Sequence, residues 1–247
     1  MIYNMILNII LIIIILIILS MLVLYKKINY EFLELTETNR KNIMNGKNMK
    51  KYIPFAQHFL LFKLLKIFIS KMDNMNVRYF LSCGGLLGYF RHNKGLIPWD
   101  DDLDVCVFEE DRDKVQQICD EIIKENKDII LKTWPTSMNR LYISNSNVLS
   151  IFLDIFFYRY FEDEKYYFFN ESSLRHRFNK EHITQEQLFP LKTVEYNLYS
   201  PDGSLFDKIN IYIPNKSEEY LDNIYKNWRT EFVYNKPHSI YNIINFN

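Results

Sequence analysis

Two aspartates at the start of one predicted strand constrain the fold of this chain more than any other feature. Asp102 and Asp104 flank Leu103 at the beginning of the apolar segment LDVCVF, residues 103–108. Side chains alternate between the two faces of a strand, so both carboxylates project from one side while Leu103 enters the core. Two like charges a few ångströms apart repel, and burying either is costly unless a cation lies between them. The pair therefore predicts a metal-binding site.

A second apolar segment supplies a third carboxylate. Residues 149–160, LSIFLDIFFYRY, are predicted to form a strand in which Asp154 lies between Leu153 and Ile155. If this strand neighbours the first, Asp154 completes a triad of oxygen ligands. Hard oxygen ligands favour Mg²⁺ or Mn²⁺, the ions that bridge phosphoryl oxygens in transfer reactions. The alternative interpretation is a solvated aspartate turn and an aspartate at a surface edge.

A glycine pair precedes the aspartates. Gly84 and Gly85 follow the predicted strand VRYFLS at 77–82 and open a short predicted helix, LLGYFRH, at 86–92. Glycines let the backbone approach a phosphate closely, and a helix amino terminus carries partial positive charge. We therefore expect a phosphate-binding turn at this pair. Three basic residues follow it and can neutralise a diphosphate: Arg91, His92 and Lys94.

The composition argues against several classes of function. Thirty basic residues balance thirty acidic ones, so no overall field favours nucleic acid, and we expect no nucleic-acid partner. The three cysteines form no C-x-x-C pair, so neither a disulfide scaffold nor a zinc knuckle is predicted. With 48% hydrophobic residues, the chain suits one globular domain with an appendage.

The amino-terminal segment is predicted to be a single transmembrane anchor. Residues 5–24 form an uncharged run of 20 residues, enough for a helix of about 30 Å, the thickness of the hydrocarbon layer. A cleaved signal peptide is the alternative, but no basic segment precedes the run and no small-residue cleavage site follows it. Lysines are frequent after the run and no charged side chain precedes it, so the positive-inside rule predicts a cytosolic domain.

The rest of the chain is predicted to alternate helices and strands. Pro54 opens an amphipathic helical pattern, PFAQHFLLFKLLKIFISKM, and a second helix is expected at 111–126, between the two aspartate-bearing strands. A strand, LYISNS, is predicted at 141–146, and a helix from Ser217. The order indicates an α/β or α+β domain, with a mixed sheet flanked by helices. The expected organisation is an anchor at 1–25, a stalk at 26–53, the domain at 54–235 and a tail at 236–247.

The motifs also resemble those of a known family. The string CGGLLGYFRHNKGLIPWDDDLDV, residues 83–105, looks like the signature of the LicD/fukutin family within the polymerase-beta-type nucleotidyltransferases. Similarity continues through LDIF at 153–156, LFPLKTVEYN at 188–197 and IPNKSEEYLDNIYKNW at 213–228. The resemblance implies a metal-dependent transferase that moves a phospho-alcohol, such as phosphocholine or ribitol phosphate, from a CDP-activated donor to a glycan. Members that modify secreted glycans face the lumen, opposite to the side that the lysines predict.

Matched by position, the family's functional residues fall on those singled out above. The resemblance implies metal ligation by Asp102, Asp104 and Asp154, with Asp101 as an outer or alternative ligand. It also implies a phosphate turn at Gly84 and Gly85, and donor contacts from Arg91 and Lys94. Three residues are candidates for the general base that takes the proton of the acceptor hydroxyl: Asp101, Asp100 and His92.

Three other interpretations compete with this one. An EF-hand calcium loop starting at Asp100 is disfavoured, because Val105 occupies the sixth position, where the turn needs glycine. A DxD-type glycosyltransferase with a nucleotide-sugar donor would use the metal but gives no reason for the glycine pair or Asp154. A catalytically inactive membrane scaffold that keeps the fold is the third, and loss of a metal carboxylate would have favoured it.

Overall fold

The computed structural model describes residues 20, 55–134, 138–143 and 151–229. Apart from Ser20, the predicted anchor, stalk and tail lie outside these residues, as does the predicted domain boundary at 235. Across the described part of the chain, no helix combines the length and the apolar character needed to cross a membrane.

The described elements alternate along the chain much as predicted. The helices are α1 (Phe55–Asn74), α2 (Cys83–Arg91), α3 (Arg112–Glu125), α4 (Ser172–Arg177), α5 (Gln185–Leu188) and α6 (Ser217–Ile224), with a 3₁₀ turn at Glu109–Asp111. The strands are β1 (Tyr79–Ser82), β2 (Asp102–Phe108), β3 (Ile129–Trp134), β4 (Met138–Ile143), β5 (Phe152–Phe161), β6 (Tyr166–Phe169), β7 (Ile183–Thr184), β8 (Lys192–Tyr199) and β9 (Leu205–Ile213).

The main sheet is mixed, in agreement with the predicted α/β class. Its strand order is β1-β2-β5-β4-β3, and β6 extends it from β5 and pairs with β7. Strands β2 and β5 run parallel, whereas the β1–β2, β4–β5 and β3–β4 pairs are antiparallel. Strands β8 and β9 form a separate hairpin, which touches the main sheet through the rings of Tyr79 and Tyr212, 5.2 Å apart. The two aspartate-bearing strands are therefore direct neighbours.

Helices α1 and α3 bury one face of this sheet. Helix α1 turns seven apolar side chains into the core and keeps Lys63 and Lys66 exposed, because its apolar residues recur at helical spacing. Helix α3 buries Val115, Ile118, Cys119 and Ile122 in the same way. Fully burying one such aliphatic side chain stabilises the fold by roughly 1.5–3 kcal/mol. Beneath the helices lie the inward-facing residues of the central strands: Leu103, Val105, Leu141, Leu153 and Ile155.

The other face carries a line of polar side chains that crosses four pairs of strands. Strand register places Ser82 opposite Asp104, Asp104 beside Asp154, Asp154 opposite Arg140 and Arg140 opposite Lys132. We call these five residues the polar row. Directly paired residues on neighbouring strands point to the same face, so the row is continuous. It runs from fully buried Ser82 to exposed Lys132.

The start of helix α2 differs from the sequence-based prediction. The predicted helix begins at residue 86, after the glycine pair, but α2 begins at Cys83 and contains both glycines in its first turn. Ser82 has extended dihedral angles and ends β1, and Cys83 has a φ of 44°, in the left-handed region. The chain therefore turns from strand to helix at a non-glycine residue, and the glycines serve close packing instead.

Candidate metal centre

Asp102, Asp104 and Asp154 converge on the face of the sheet opposite helices α1 and α3, where the first two are half-buried and Asp154 is buried. One carboxylate oxygen from each lies within 4.8 Å of the others, close enough for the three to share a metal ion. The parallel register of β2 and β5 sets Asp104 beside Asp154, and Asp102 precedes Asp104 on the same face. The predicted triad is thus brought together by strand pairing across 50 positions of sequence.

The three carboxylates of the triad repel one another in a partly buried site. Burial, together with repulsion from Asp102 and Asp154, raises the pKa of the Asp104 carboxyl well above its ordinary value. The positive charge of Arg140 acts on this pKa in the opposite direction. Oxygen ligands that are crowded, partly buried and repelling one another are stabilised by a divalent cation. The donor set therefore fits Mg²⁺ or Mn²⁺, which prefer carboxylate oxygen.

A second group of carboxylates adjoins the first. Asp100, Asp101 and Asp102 also bring one oxygen each within 4.8 Å, so that Asp102 belongs to both groups. Burial, followed by the charge of Asp102 and a hydrogen bond with it, raises the pKa of Asp100. Asp101 is fully buried, and its backbone carbonyl accepts a hydrogen bond from Phe152 N–H at 3.4 Å. Asp101 thus belongs to the second carboxylate group, and its role as an outer or alternative ligand stays a prediction.

Gly84 lies against this second group. A Cβ atom at Gly84 would stand 2.6 Å from Oδ2 of Asp100, and one at Gly85 would stand 2.6 Å from Leu81 and 2.9 Å from Leu103. The lack of a side chain at Gly84 therefore leaves room for the Asp100 carboxylate, and the lack of one at Gly85 leaves room for Leu81 and Leu103. The phosphate-binding role of the pair stays a prediction, because the nearest group to Gly84 across the turn is itself acidic.

The three predicted basic contacts occupy different environments. Arg91 is buried, its Nε–H donates to Nε2 of His92 at 3.1 Å, and burial lowers its pKa to about 10 in spite of the charge of Asp100. The His92 ring packs edge-on against Trp99, with ring centroids 5.2 Å apart. Lys94 is exposed, has a φ of 62°, and accepts a hydrogen bond from Asn197 N–H at its carbonyl. Arg91 thus interacts with the charge of Asp100, whereas Lys94 lies beside strand β8 of the β8–β9 hairpin.

Arg140 is a site residue that the sequence analysis missed. Its Nε and a terminal nitrogen donate to the two oxygens of Asp154 at 2.5 and 2.7 Å. Its guanidinium also lies 3.8 Å from the centroid of the Phe152 ring and 5.7 Å from that of Trp134. The sequence gives only a weak indication of this role, because an arginine in an alternating strand segment such as MNRLYI usually faces solvent. Only the register of β4 with β5 places Arg140 opposite Asp154.

The described residues thus form a mixed α/β domain, and one face of its sheet carries a carboxylate cluster able to hold a metal ion. A family model for the LicD/FKTN/FKRP nucleotidyltransferase domain matches residues 76–201 and includes all three members of the triad. The chain belongs to the LicD/FKTN/FKRP family. Family membership supports a transferase kind of function.

Curated relatives agree with this family. The chain is 29% identical over 125 residues to the lipopolysaccharide cholinephosphotransferase LicD of Haemophilus influenzae, covering 44% of this chain and 46% of that protein. It is 26% identical over 200 residues to an uncharacterised protein of Rickettsia prowazekii, covering 80% of this chain and 66% of that protein. The chain therefore spans between about half and two thirds of the length of these relatives.

Two solved structures are also similar in part. One is ANT(2″)-Ia in complex with adenylyl-2″-tobramycin, with a TM-score of 0.31 and 13% identity over 41% of this chain and 51% of that one. The other is terminal uridylyl transferase 4 of Trypanosoma brucei with bound GTP, with a TM-score of 0.29 and 13% identity over 50% of this chain and 34% of that one.

Proposed function

We propose that this protein is a membrane-anchored, metal-dependent transferase that moves a phospho-alcohol from a CDP-activated donor to a glycan hydroxyl. The observation that carries the proposal is the convergence of Asp102, Asp104 and Asp154 across two parallel strands. Three carboxylates on one face of a sheet suit the binding of a cation together with a diphosphate. The similarity to a cholinephosphotransferase supports the class of group transferred.

The residues of the site have distinct roles in this proposal. Asp102, Asp104 and Asp154 hold the metal, which when bound neutralises the diphosphate and polarises the phosphoryl group. Arg140, at the exposed end of the triad, orients phosphate oxygens through its planar guanidinium. The acceptor oxygen then attacks the phosphorus of the phospho-alcohol in line with the bond to the leaving CMP.

The edge of the sheet beside Arg140 suits the nucleoside part of a donor. Trp134 lies in β3, with the ammonium of Lys132 4.7 Å from its ring centroid. Aromatic rings bearing nearby cations bind planar bases and their phosphates. We propose that the donor lies along the polar row, with its diphosphate at the metal and its base toward Trp134.

The proposed partners follow from charge and from the amino-terminal segment. Residues 5–24 attach the protein to a membrane as a single-pass anchor, and a glycan or glycoconjugate is the acceptor. We propose no nucleic-acid partner, because the numbers of acidic and basic residues are equal and give no overall positive charge. The lysines after the anchor favour a cytosolic domain, whereas an acceptor on secreted glycans favours the opposite side.

Calorimetric titration of the full chain with CDP, with and without Mn²⁺, tests the proposal. We expect CDP binding that requires Mn²⁺ and is lost in Asp102→Asn/Asp104→Asn. Asp163→Asn, at an exposed position in the β5–β6 turn, is the matched control and is expected to bind as the wild type does. A folded wild type that binds neither Mn²⁺ nor CDP would favour the inactive scaffold. In a separate turnover assay, hydrolysis of a nucleotide-sugar but of no CDP-alcohol would favour the glycosyltransferase.

A further inference from the structure

A half-buried carboxylate lies near the buried end of the polar row. Glu181 precedes β7, and its Oε2 accepts a hydrogen bond from Sγ of Cys83 at 3.3 Å. Cys83 directly follows Ser82, the residue that pairs with Asp104. Glu181 therefore reaches the row from the side opposite Arg140, over the strand-to-helix junction.

The backbone of Glu181 is held in place by tyrosines from two other elements. Its carbonyl accepts hydrogen bonds from the hydroxyls of Tyr158 at 2.9 Å and Tyr220 at 3.4 Å. The Tyr220 hydroxyl also lies 3.1 Å from Oγ of Ser82. Strand β5 and helix α6 thus fix the segment that carries Glu181 relative to the triad, which gives the carboxylate a defined position.

Glu181 has no part in either carboxylate group that can share a metal ion among the described residues. Its charge nevertheless acts on Asp104, and its side chain remains partly accessible to solvent. A carboxylate beside a metal cluster, but outside the ligand set, can accept a proton from a group bound at the metal. The three residues considered from sequence fit less well. Asp101 is fully buried, Asp100 belongs to a carboxylate group that can itself hold a metal ion, and Nε2 of His92 accepts from Arg91.

We propose that Glu181 is the general base that takes the proton from the acceptor hydroxyl. This inference rests on the proposed transfer reaction. The acceptor oxygen forms a bond to the phosphorus of the phospho-alcohol, and the bond from that phosphorus to the CMP oxygen breaks. The electron pair of the broken bond stays on CMP. The hydroxyl proton passes to an oxygen of Glu181 and from there to water, so that charge and atoms balance.

The surroundings of Glu181 support proton transfer near neutral pH. Burial raises its pKa to about 7, against the opposing effect of the Cys83 hydrogen bond. The other titratable groups that interact with it come from β2, β5, α6 and the segment after α6: Asp104, Cys106, Tyr158, Tyr220 and Tyr225. A bound cation lowers the pKa of a nearby carboxyl, which keeps Glu181 ionised and able to accept at pH 7.

The test compares Glu181→Gln, Glu181→Asp and wild type as full chains with Mn²⁺. CMP release from CDP-choline, CDP-ribitol and CDP-glycerol is measured, with water as the acceptor, between pH 5 and pH 9. We expect Glu181→Gln to lower kcat by about 10²-fold or more, with little change in the KM for the donor. In the wild type, kcat should fall at acid pH with a midpoint at or below about 7, and this fall should be absent from Glu181→Gln. Glu181→Asp should restore part of kcat, and Glu164→Gln, an exposed control, should behave as wild type.

A second measurement needs no turnover. In metal-free protein, the infrared band of protonated carboxyl groups should lose a component that titrates near pH 7 when Glu181 is replaced by Gln. Equal kcat and equal pH profiles in wild type and Glu181→Gln would overturn the assignment, as would an unchanged infrared band. Wild-type protein that binds Mn²⁺ but releases CMP from none of the three donors would overturn the proposed transfer reaction instead.

Discussion

Arg140 and Asp154 lie directly opposite each other on antiparallel strands, and the arginine binds both oxygens of the aspartate at 2.5 and 2.7 Å. The Asp154 side chain is 7% exposed and that of Arg140 is 31% exposed, so the pair is only partly screened by water. Arg140 thus supplies, in the metal-free protein, part of the positive charge that the three carboxylates require.

Replacing Arg140 by alanine should destabilise the metal-free protein. Asp154 would keep its buried carboxylate and lose its bidentate partner, at a cost of about 1–3 kcal/mol. Urea unfolding in the presence of a chelator measures the change. Added Mn²⁺ should recover most of the loss, because the cation replaces the missing charge. Arg159→Ala, at an exposed position of β5, is the control, and an equal loss in both variants would contradict the expectation.

Replacing Asp104 by asparagine should have the opposite effect on the metal-free protein. Burial and the charges of Asp102 and Asp154 raise the pKa of Asp104, so its ionisation costs stability as pH rises through the folded-state pKa. The amide removes that cost, and we expect Asp104→Asn to gain on the order of 1 kcal/mol at pH 8. The gain should vanish toward pH 4, where the native carboxyl is protonated.

The same variant should lose its response to metal. Mn²⁺ is expected to raise the Tm of the wild type and to leave that of Asp104→Asn nearly unchanged, since one of three ligands is missing. Differential scanning calorimetry at pH 5 and pH 8, with and without Mn²⁺, measures both effects. Equal Mn²⁺-induced shifts in the two proteins would show that the ion binds elsewhere.

His58 should make the protein sensitive to acid. Burial lowers its pKa to about 4, although the carbonyl of Asp100 and the charge of Asp101 act the other way. The folded-state pKa lies below the unfolded value of 6.5, so its contribution to stability is complete above pH 6.5 and is lost as pH falls toward 4. The loss amounts to roughly 3 kcal/mol.

His58→Gln isolates this effect, because the neutral amide can still bind the Asp100 carbonyl, which lies 3.3 Å from Nε2 in the wild type. The free energy of unfolding of the variant should fall less than that of the wild type between pH 6.5 and pH 4. Glu181 acts in the opposite direction, since its raised pKa lowers stability as pH increases from about 4.5 to about 7. His176→Gln, at an exposed position, is the control.

Alanine at the two glycines should separate function from packing. At Gly85 the added Cβ would lie within 3 Å of Leu81 and Leu103, and overpacking of this kind costs about 1–3 kcal/mol. At Gly84 it meets only the end of the Asp100 side chain, so we expect a smaller loss of stability and a weaker affinity for CDP in the presence of Mn²⁺. Urea unfolding measures the loss of stability, and calorimetry measures the affinity for CDP. Equal losses of stability and of affinity in the two variants would contradict this separation.

The carboxylate triad could be predicted from sequence because an ionisable side chain inside an apolar strand violates a local rule. Asp154 stands out within 149–160 without any knowledge of what pairs with it. Arg140 and Glu181 give no such signal. The first acquires its role from the register of β4 against β5, and the second from a short segment that reaches the site only when β5 and α6 are in place.

The β8–β9 hairpin was predictable in principle. Residues 192–199 and 205–213 alternate in polarity and flank Pro201-Asp202-Gly203, a combination typical of a turn between strands. The boundary error at α2 has a different origin. Glycine usually marks a turn, but here Gly85 is required by the side chains of Leu81 and Leu103, and the turn itself falls on Cys83.

The parallel pairing of β2 with β5 gives the candidate metal centre a mechanical consequence. A cation shared by Asp104 and Asp154 would join two strands that are 50 positions apart in the chain, and it would close a loop that contains α3, β3 and β4. Because the ion binds all three carboxylates only while the two strands are paired, its binding free energy has to be overcome before the strands separate. Pulling the two strands apart should therefore require more force in the metal-loaded protein.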